Sequence, residues 1–191
     1  GNNKFLKAYS RFIKDINPNV LLITANKGID IQFSKVIVKE EGIEDYIEWV
    51  NDMPKYELKK YQSLPNVVMV GNFSHNDYFK LYPADKEYGL KVGFGFGSVE
   101  SLAAKRPLLT AFRDLEFYDN EIPPIFEAYT EDEIYHRLYE IYAMSLEELV
   151  QKGEEGYRFV MKWYDNDSLN NKIPQVIEEV YQEVLNENTK K

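Results

Sequence analysis

The chain has 191 residues, of which 44% are apolar and 29% charged, and both values are typical of a globular domain rather than a disordered or fibrous chain. It contains no cysteine, which excludes disulfides, thiolate metal sites and cysteine nucleophiles. The 23 Lys and Arg residues against 32 Asp and Glu residues give a formal charge of −9, so we expect no nucleic-acid partner.

The sequence shows no membrane-spanning or export pattern. No apolar run approaches the ~20 residues that span a bilayer, and the N-terminal residues do not resemble a signal peptide. We therefore expect no transmembrane segment and a cytoplasmic location, with peripheral contact at the inner face of the membrane left open.

The first half of the chain alternates helix and strand patterns. Apolar residues at helical spacing predict a helix over residues 4–16, and the apolar run 20–24 predicts a strand covered on both faces. A second helix is predicted over residues 28–41, with Phe33 and Val36 among its inward residues. A weaker strand over residues 46–50 and a helix opened by Pro54 follow, and residues 66–70 give the clearest pattern of a buried strand.

The second half continues the alternation and ends in helices. Residues 98–105 predict a helix, residues 107–112 a strand and residues 125–129 a short edge strand. Thr130 and Glu133 form a capping box for a helix over residues 131–143. Two final helices, over residues 145–164 and 168–187, would pack back across the domain or onto a missing partner domain.

The order of these elements predicts an α/β fold with a Rossmann-like, doubly wound parallel sheet in a single domain. Residues 1–143 would form its core and residues 144–191 its C-terminal helices. Ligands bind such sheets outside the carboxyl ends of the strands. We therefore expect the loops after Thr24, Val50, Gly71 and Phe112 to line the site.

The glycine-rich segment, residues 93–97, is the most informative stretch for function. Three glycines within five residues before a helix allow backbone amides to approach a ligand closely, and an anion fits there. The segment matches neither the P-loop nor the Gly-x-Gly-x-x-Gly dinucleotide pattern. Taken alone, it leaves a purely structural turn open.

The continuation of this segment resembles the donor-site motif of retaining GT-B glycosyltransferases of the family 4 type. That motif reads Glu-x-Phe-Gly, four residues, then Glu-Ala-x-Ala-x-Gly-x-Pro-Val. Phe94 and Gly95 match the Phe-Gly pair, Glu100 matches the second glutamate, and Ala103 and Pro107 match the alanine and proline. The resemblance extends over most of the chain, including the family's Pro-x-x-Glu-Leu-x-x-Tyr helix at residues 54–61.

The sequence departs from the family at several positions. Val92 stands where the first glutamate would be, and valine cannot accept a hydrogen bond from a sugar hydroxyl. Either Asp85 or Glu87 replaces that carboxylate, or backbone amides alone hold the sugar. Lys105 stands at the motif's glycine. Residues 74–85 also fit the helix before the glycine-rich segment; residues 54–64 fit better, which makes residues 74–89 an insertion over the site.

The resemblance implies a retaining hexosyltransferase-like enzyme that binds a UDP- or GDP-sugar as substrate, with no resident cofactor and no metal. It also implies an N-terminal acceptor-binding domain outside these 191 residues, so that the fragment alone is inactive. It identifies no catalytic residue. Together, the resemblance and the turn after the first strand give these donor-binding candidates: Lys27, Gly93, Phe94, Gly95, Phe96, Gly97, Ser98, Val99 and Glu100.

Two other functions remain as alternatives. A non-catalytic GT-B-like module that binds a nucleotide-sugar or a protein is favoured by Val92. A response-regulator-type domain is less favoured, because residues 24–27 and 71–73 lack the acidic cluster and the phosphoacceptor aspartate that such domains need.

Overall fold

The computed structural model describes residues 2–28, 31–51, 53–71, 73, 94–112 and 115–164. These residues form six α-helices, five short strands and two 3₁₀ turns. The helices are α1 (Asn2–Ile16), α2 (Ile31–Glu41), α3 (Lys55–Ser63), α4 (Phe96–Ala103), α5 (Glu131–Ala143) and α6 (Leu146–Tyr164). The strands are β1 (Leu22–Ala25), β2 (Ile47–Val50), β3 (Met69–Val70), β4 (Leu108–Thr110) and β5 (Phe126–Glu127), and the 3₁₀ turns are Glu44–Tyr46 and Leu115–Tyr118.

Local sequence determines several helix ends. Helix α1 ends where Asn17 adopts φ 48° ahead of Pro18, and α2 ends at Gly42 with φ 66°. The predicted capping box of α5 is present, because Thr130 accepts from the Glu133 amide and the Glu133 carboxylate accepts from the Thr130 amide at 2.9 Å. The predicted bounds of α5 are confirmed.

All strand pairs in the described residues are parallel. β1 pairs with β2, and β4 lies between β3 and β5. The mixed α/β class is therefore confirmed. The predicted single doubly wound sheet is not seen, since the strands form two small sheets of two and three strands, and the described residues contain no ladder that joins them.

The first core lies between α1, α2, α5 and the strands. It contains the buried face of α1 together with Ile37 and Val38 of α2, Ile134 of α5 and Leu109 of β4. The ring of Phe5 stacks on that of Phe73 with 5.6 Å between the ring centroids. This core confirms the predicted inward face of the first helix.

Two hydrogen bonds connect the side chains of α1 to the C-terminal end of α2. Lys14 Nζ and Ser10 Oγ both donate to one oxygen of the Glu41 carboxylate, at 2.6 Å and 2.8 Å. These hydrogen bonds, the one from Lys14 foremost, hold the pKa of Glu41 below its usual 4.5.

The second core lies between α4, α6 and the other face of β4. Leu108 and Phe112 point into this core, whereas Leu109 and Ala111 point into the first. Both faces of β4 are thus covered, as expected of a strand in a parallel sheet. Helix α6 packs on α4, so this part of the C-terminal region folds back across the domain.

Close packing of α6 on α4 depends on two glycines. A Cβ on Gly153 would overlap the carbonyl oxygen of Lys105 and lie 2.8 Å from its carbonyl carbon. A Cβ on Gly156 would lie 2.6 Å from Leu102 Cδ2. Side chains at these two positions would push the helices apart.

Several predictions about burial are wrong. The run 20–24 was expected to be covered on both faces, but β1 contains no fully buried residue and Leu21 before it is 52% exposed. Phe33 and Val36 of α2 are 58% and 49% exposed, whereas Ile37 and Val38, which the pattern also places inward, are buried together with Ser34. The expected buried strand over residues 66–70 is reduced to the two residues of β3, and its Val70 is 38% exposed. The predicted helix over residues 168–187 and the insertion over residues 74–89 lie outside the described residues.

Candidate functional site

The start of α4 lies at the carboxyl ends of β3 and β4. Gly71 directly follows β3, and a Cβ on it would lie 2.5 Å from Thr110 Oγ1 and 3.4 Å from Ser98 Oγ. Phe112 follows β4, and its ring lies 4.4 Å from that of Phe94, between centroids. The described part of the glycine-rich segment is therefore at the edge of the sheet where ligands bind in α/β folds.

Two backbone amides in the first turn of α4 lack an acceptor among the described residues. Gly95 is the N-cap and has no side chain to cap the helix. The amides of Ser98 and Val99 donate to the Gly95 carbonyl at 2.9 Å and 3.2 Å. Among the described residues, none accepts a hydrogen bond from the amides of Phe96 and Gly97.

The described residues leave space beside two glycines of this turn. A Cβ built on Gly95 or Gly97 would have no atom of the described residues within 4 Å, in contrast to Gly71, where Thr110 requires glycine. Gly95 has φ −63° and ψ 155°, which other residues also adopt. Among the described residues, neither packing nor backbone conformation demands glycine at these positions.

Glu100 lies one helical turn farther along the same exposed face. It follows Phe96 by four residues and Gly97 by three, and side chains at these spacings are neighbours about 5–6 Å apart on a helix. The side chains of Phe96 and Glu100 are exposed, Phe96 by 90%, while Ser98 and Val99 are partly buried. None of the described residues donates a hydrogen bond to the Glu100 carboxylate or forms an ion pair with it.

A buried tyrosine lies behind the segment. The Tyr118 hydroxyl accepts a hydrogen bond from the Phe94 amide at 3.0 Å and lies 2.5 Å from the Tyr164 hydroxyl. Tyr118 is 0% exposed, and burial, reinforced by the bond to Tyr164, raises its pKa above the usual 10. The hydroxyl is therefore protonated at physiological pH. Sequence patterns missed this contact, because Tyr118 lies in a short 3₁₀ turn without periodicity.

Helix α4 ends at a residue in the left-handed conformation. Lys105 has φ 58°, the left-handed region that glycine favours. Its amide donates to the Leu102 carbonyl at 2.9 Å, and the Arg106 amide donates to the Ser101 carbonyl at 3.0 Å, which together form a Schellman motif. Pro107 then leads into β4, as in the motif.

Lys27 belongs to a different turn from the other described candidates. It follows β1, in the two-stranded sheet, where the Asn26 side chain donates to Asn51 at 2.6 Å. The structure thus brings residues 94–100 together at the β3–β4 edge. Gly93, Val92, Asp85 and Glu87 lie outside the described residues.

Comparison with known proteins assigns no family. No family model and no curated protein matches the chain. Within the described residues, none of the helices has the length and apolar character needed to cross a membrane.

Proposed function

We propose that this chain is the nucleotide-sugar-binding, C-terminal domain of a retaining glycosyltransferase with a GT-B, Rossmann-like doubly wound fold. The observation that carries the proposal is the first turn of α4, beside the carboxyl ends of parallel strands, where the amides of Phe96 and Gly97 lack an acceptor among the described residues. The motif resemblance supports it, because the left-handed Lys105 occurs where the motif has glycine.

The diphosphate of the donor binds at the first turn of α4. Its oxygens accept hydrogen bonds from the amides of Phe96 and Gly97, and the helix dipole adds about half a positive charge at this end. When the bond from the sugar to the diphosphate breaks, the leaving group gains negative charge. Amides already aimed at that charge stabilise it without rearrangement.

The Glu100 carboxylate accepts hydrogen bonds from the ribose hydroxyls of the nucleotide. Its place one turn beyond Gly97, on the exposed face, suits a ribose attached to a diphosphate at the helix start. The base is uracil or guanine, and the acceptor binds to a separate N-terminal domain. The isolated chain therefore binds nucleoside diphosphates and transfers no sugar.

The role of Glu100 is tested by calorimetric titration of UDP and GDP against the parent chain and Glu100→Gln. The substitution keeps the side-chain shape and removes the charge. Charge-assisted hydrogen bonds contribute about 1.5–3 kcal/mol, so we expect binding to weaken roughly tenfold to hundredfold. Glu40→Gln, at an exposed carboxylate in the last turn of α2, is the matched control and leaves the dissociation constant unchanged.

A 2′-deoxy nucleotide sharpens the same test. It lacks one of the two hydroxyls that Glu100 binds, so Glu100→Gln weakens its binding less than that of the ribonucleotide. Failure of the parent chain to bind either UDP or GDP would refute the proposed function. Equal binding by the parent and Glu100→Gln would make Glu100 a surface residue of α4.

A binding module without turnover is favoured by one sequence observation, the valine at position 92. Both functions require nucleotide binding by this chain, and they differ in catalysis. Sugar hydrolysis or transfer by the chain joined to its N-terminal domain distinguishes them, because a module without turnover leaves the nucleotide-sugar intact.

A further inference from the structure

Tyr118 is held in place from several sides. Its ring packs against those of Phe112, Phe159 and Trp163, at centroid distances of 5.4, 4.9 and 5.4 Å. The next two residues, Asp119 and Asn120, both have positive φ, 49° and 64°. This tight turn closes through a hydrogen bond from the Asn120 amide to the Leu115 carbonyl at 2.9 Å.

The turn is also fastened to the end of α6. The Glu121 carboxylate accepts from the Trp163 indole at 3.1 Å and pairs with Lys162. Tyr164, the last residue of α6, shares a hydrogen bond with the Tyr118 hydroxyl. The hydroxyl of Tyr118 therefore has a fixed position relative to the body of the domain.

That fixed hydroxyl holds the chain directly before α4. Its partner is the amide of Phe94, the residue before the N-cap Gly95. Gly95 and Gly97 restrict the backbone less than other residues do, so the sequence of this turn does little to fix its own conformation. An anchor at Phe94 limits that freedom and sets the direction of the amides at Phe96 and Gly97.

We propose that Tyr118 is a positioning residue, which holds the first turn of α4 ready to bind a nucleoside diphosphate and ties it, through Tyr164, to the end of α6. This inference rests on the proposed function for its ligand. The anchoring itself concerns the free protein and can be measured without a ligand.

The test compares Tyr118→Phe with the parent chain and with Phe159→Leu. Tyr118→Phe keeps the ring in the aromatic cluster and removes the acceptor of the Phe94 amide. Phe159→Leu disturbs the packing of the same cluster, where Phe159 is buried, and keeps both hydroxyls. Tyr164→Phe retains the Tyr118 hydroxyl, so its effect falls between those of the parent and Tyr118→Phe.

Two quantities are measured for each variant. ¹⁵N relaxation gives the backbone order parameters of Gly95, Phe96 and Gly97, and amide hydrogen exchange gives the protection of Phe94. In Tyr118→Phe we expect order parameters to fall from about 0.85 toward 0.6 and the protection of Phe94 to be lost. Calorimetry with UDP and GDP should show roughly two- to tenfold weaker binding, the effect of losing one hydrogen bond. Phe159→Leu should lower the melting temperature and leave the order parameters and the affinity unchanged.

Unchanged order parameters in Tyr118→Phe would overturn the inference, as would an equal fall in Phe159→Leu, since packing alone would then order the turn. A different combination of results is also informative. If Tyr118→Phe is more mobile at this turn but the parent chain binds neither UDP nor GDP, the anchoring is supported and the proposed function is refuted. The two failures are therefore distinguishable.

Discussion

Exchanging glycines at the two ends of α4 separates stability from ligand binding. Gly97→Ala adds a methyl group to the open first turn, and Lys105→Gly removes a side chain from a left-handed position at the other end. We expect both substitutions to stabilise the free chain. Only Gly97→Ala should weaken nucleotide binding.

The stability gain at Gly97 follows from helix propensity. Alanine in a helix is favoured over glycine by about 0.5–1 kcal/mol, and the added Cβ meets no atom of the described residues within 4 Å. For a chain of this size, 1 kcal/mol shifts the melting temperature by about 2–4 °C. Gly97→Ala should therefore raise the melting temperature by about 1–4 °C.

Lys105→Gly should stabilise the chain less, because opposing effects reduce the gain in stability. The left-handed conformation destabilises a residue with a Cβ by roughly 1–2 kcal/mol. Glycine removes that strain, but it loses the exposed ion pair of Lys105 with Glu154, 2.9 Å apart, and gives the unfolded chain more freedom. We expect a net stabilisation of about 0.5 kcal/mol.

Binding discriminates between the two variants. A methyl group on Gly97 would occupy the space proposed for the diphosphate, and forcing an extra group into a filled space destabilises by about 1–3 kcal/mol. Titration with UDP or GDP should therefore show roughly fivefold to hundredfold weaker binding for Gly97→Ala and parent-like binding for Lys105→Gly. Parent-like binding by Gly97→Ala would refute a ligand at this turn, and a lower melting temperature would refute the open space.

Two further predictions concern the cores and the surface. Gly153→Ala should destabilise the chain by about 1–3 kcal/mol in urea unfolding, since its Cβ overlaps backbone atoms of Lys105. Gly156→Ala should lose less stability, because its Cβ meets only the end of a leucine side chain. Equal losses of stability in the two variants would contradict this account. Because the pKa of Glu41 is lowered, its ionised carboxylate stabilises the fold above pH 4.5, and this stabilisation is lost as the pH falls through the folded-state pKa. Glu41→Gln should therefore lose less stability on acidification than the parent chain. An unchanged acid profile would show that the contact with Lys14 contributes nothing to stability.

Local sequence rules succeeded where a short motif determines the structure alone. The capping box of Thr130 and Glu133 and the end of the first helix at Ile16 depend on residues close together in the sequence, so the sequence predicts them well. The inward face of α2 was predicted only in part, because apolar residues cover more than one face of this helix: Ile37 and Val38 are buried and Phe33 is exposed. Which face is buried depends on what α1 and the strands present to it.

The candidate site was predictable in part for a similar reason. The glycines and Glu100 lie within one continuous motif, so their neighbourhood follows from helix geometry. The contact of Tyr118 with Phe94 joins residues 24 apart and requires the turn at Leu115–Tyr118, which carries no periodic pattern. The glycines of α6, three residues apart in a helix, could have indicated a close approach of another element.

Because strand β4 contributes side chains to both cores, we expect the two cores to unfold together. A strand whose alternate side chains enter different cores cannot leave one of them without leaving the other, so a loss of order around Leu109 exposes the residues packed on Leu108 as well. The described residues should consequently melt in one cooperative transition. A destabilising substitution near α1 should then reduce the fraction of molecules in which the first turn of α4 is folded, although it touches no residue of that turn.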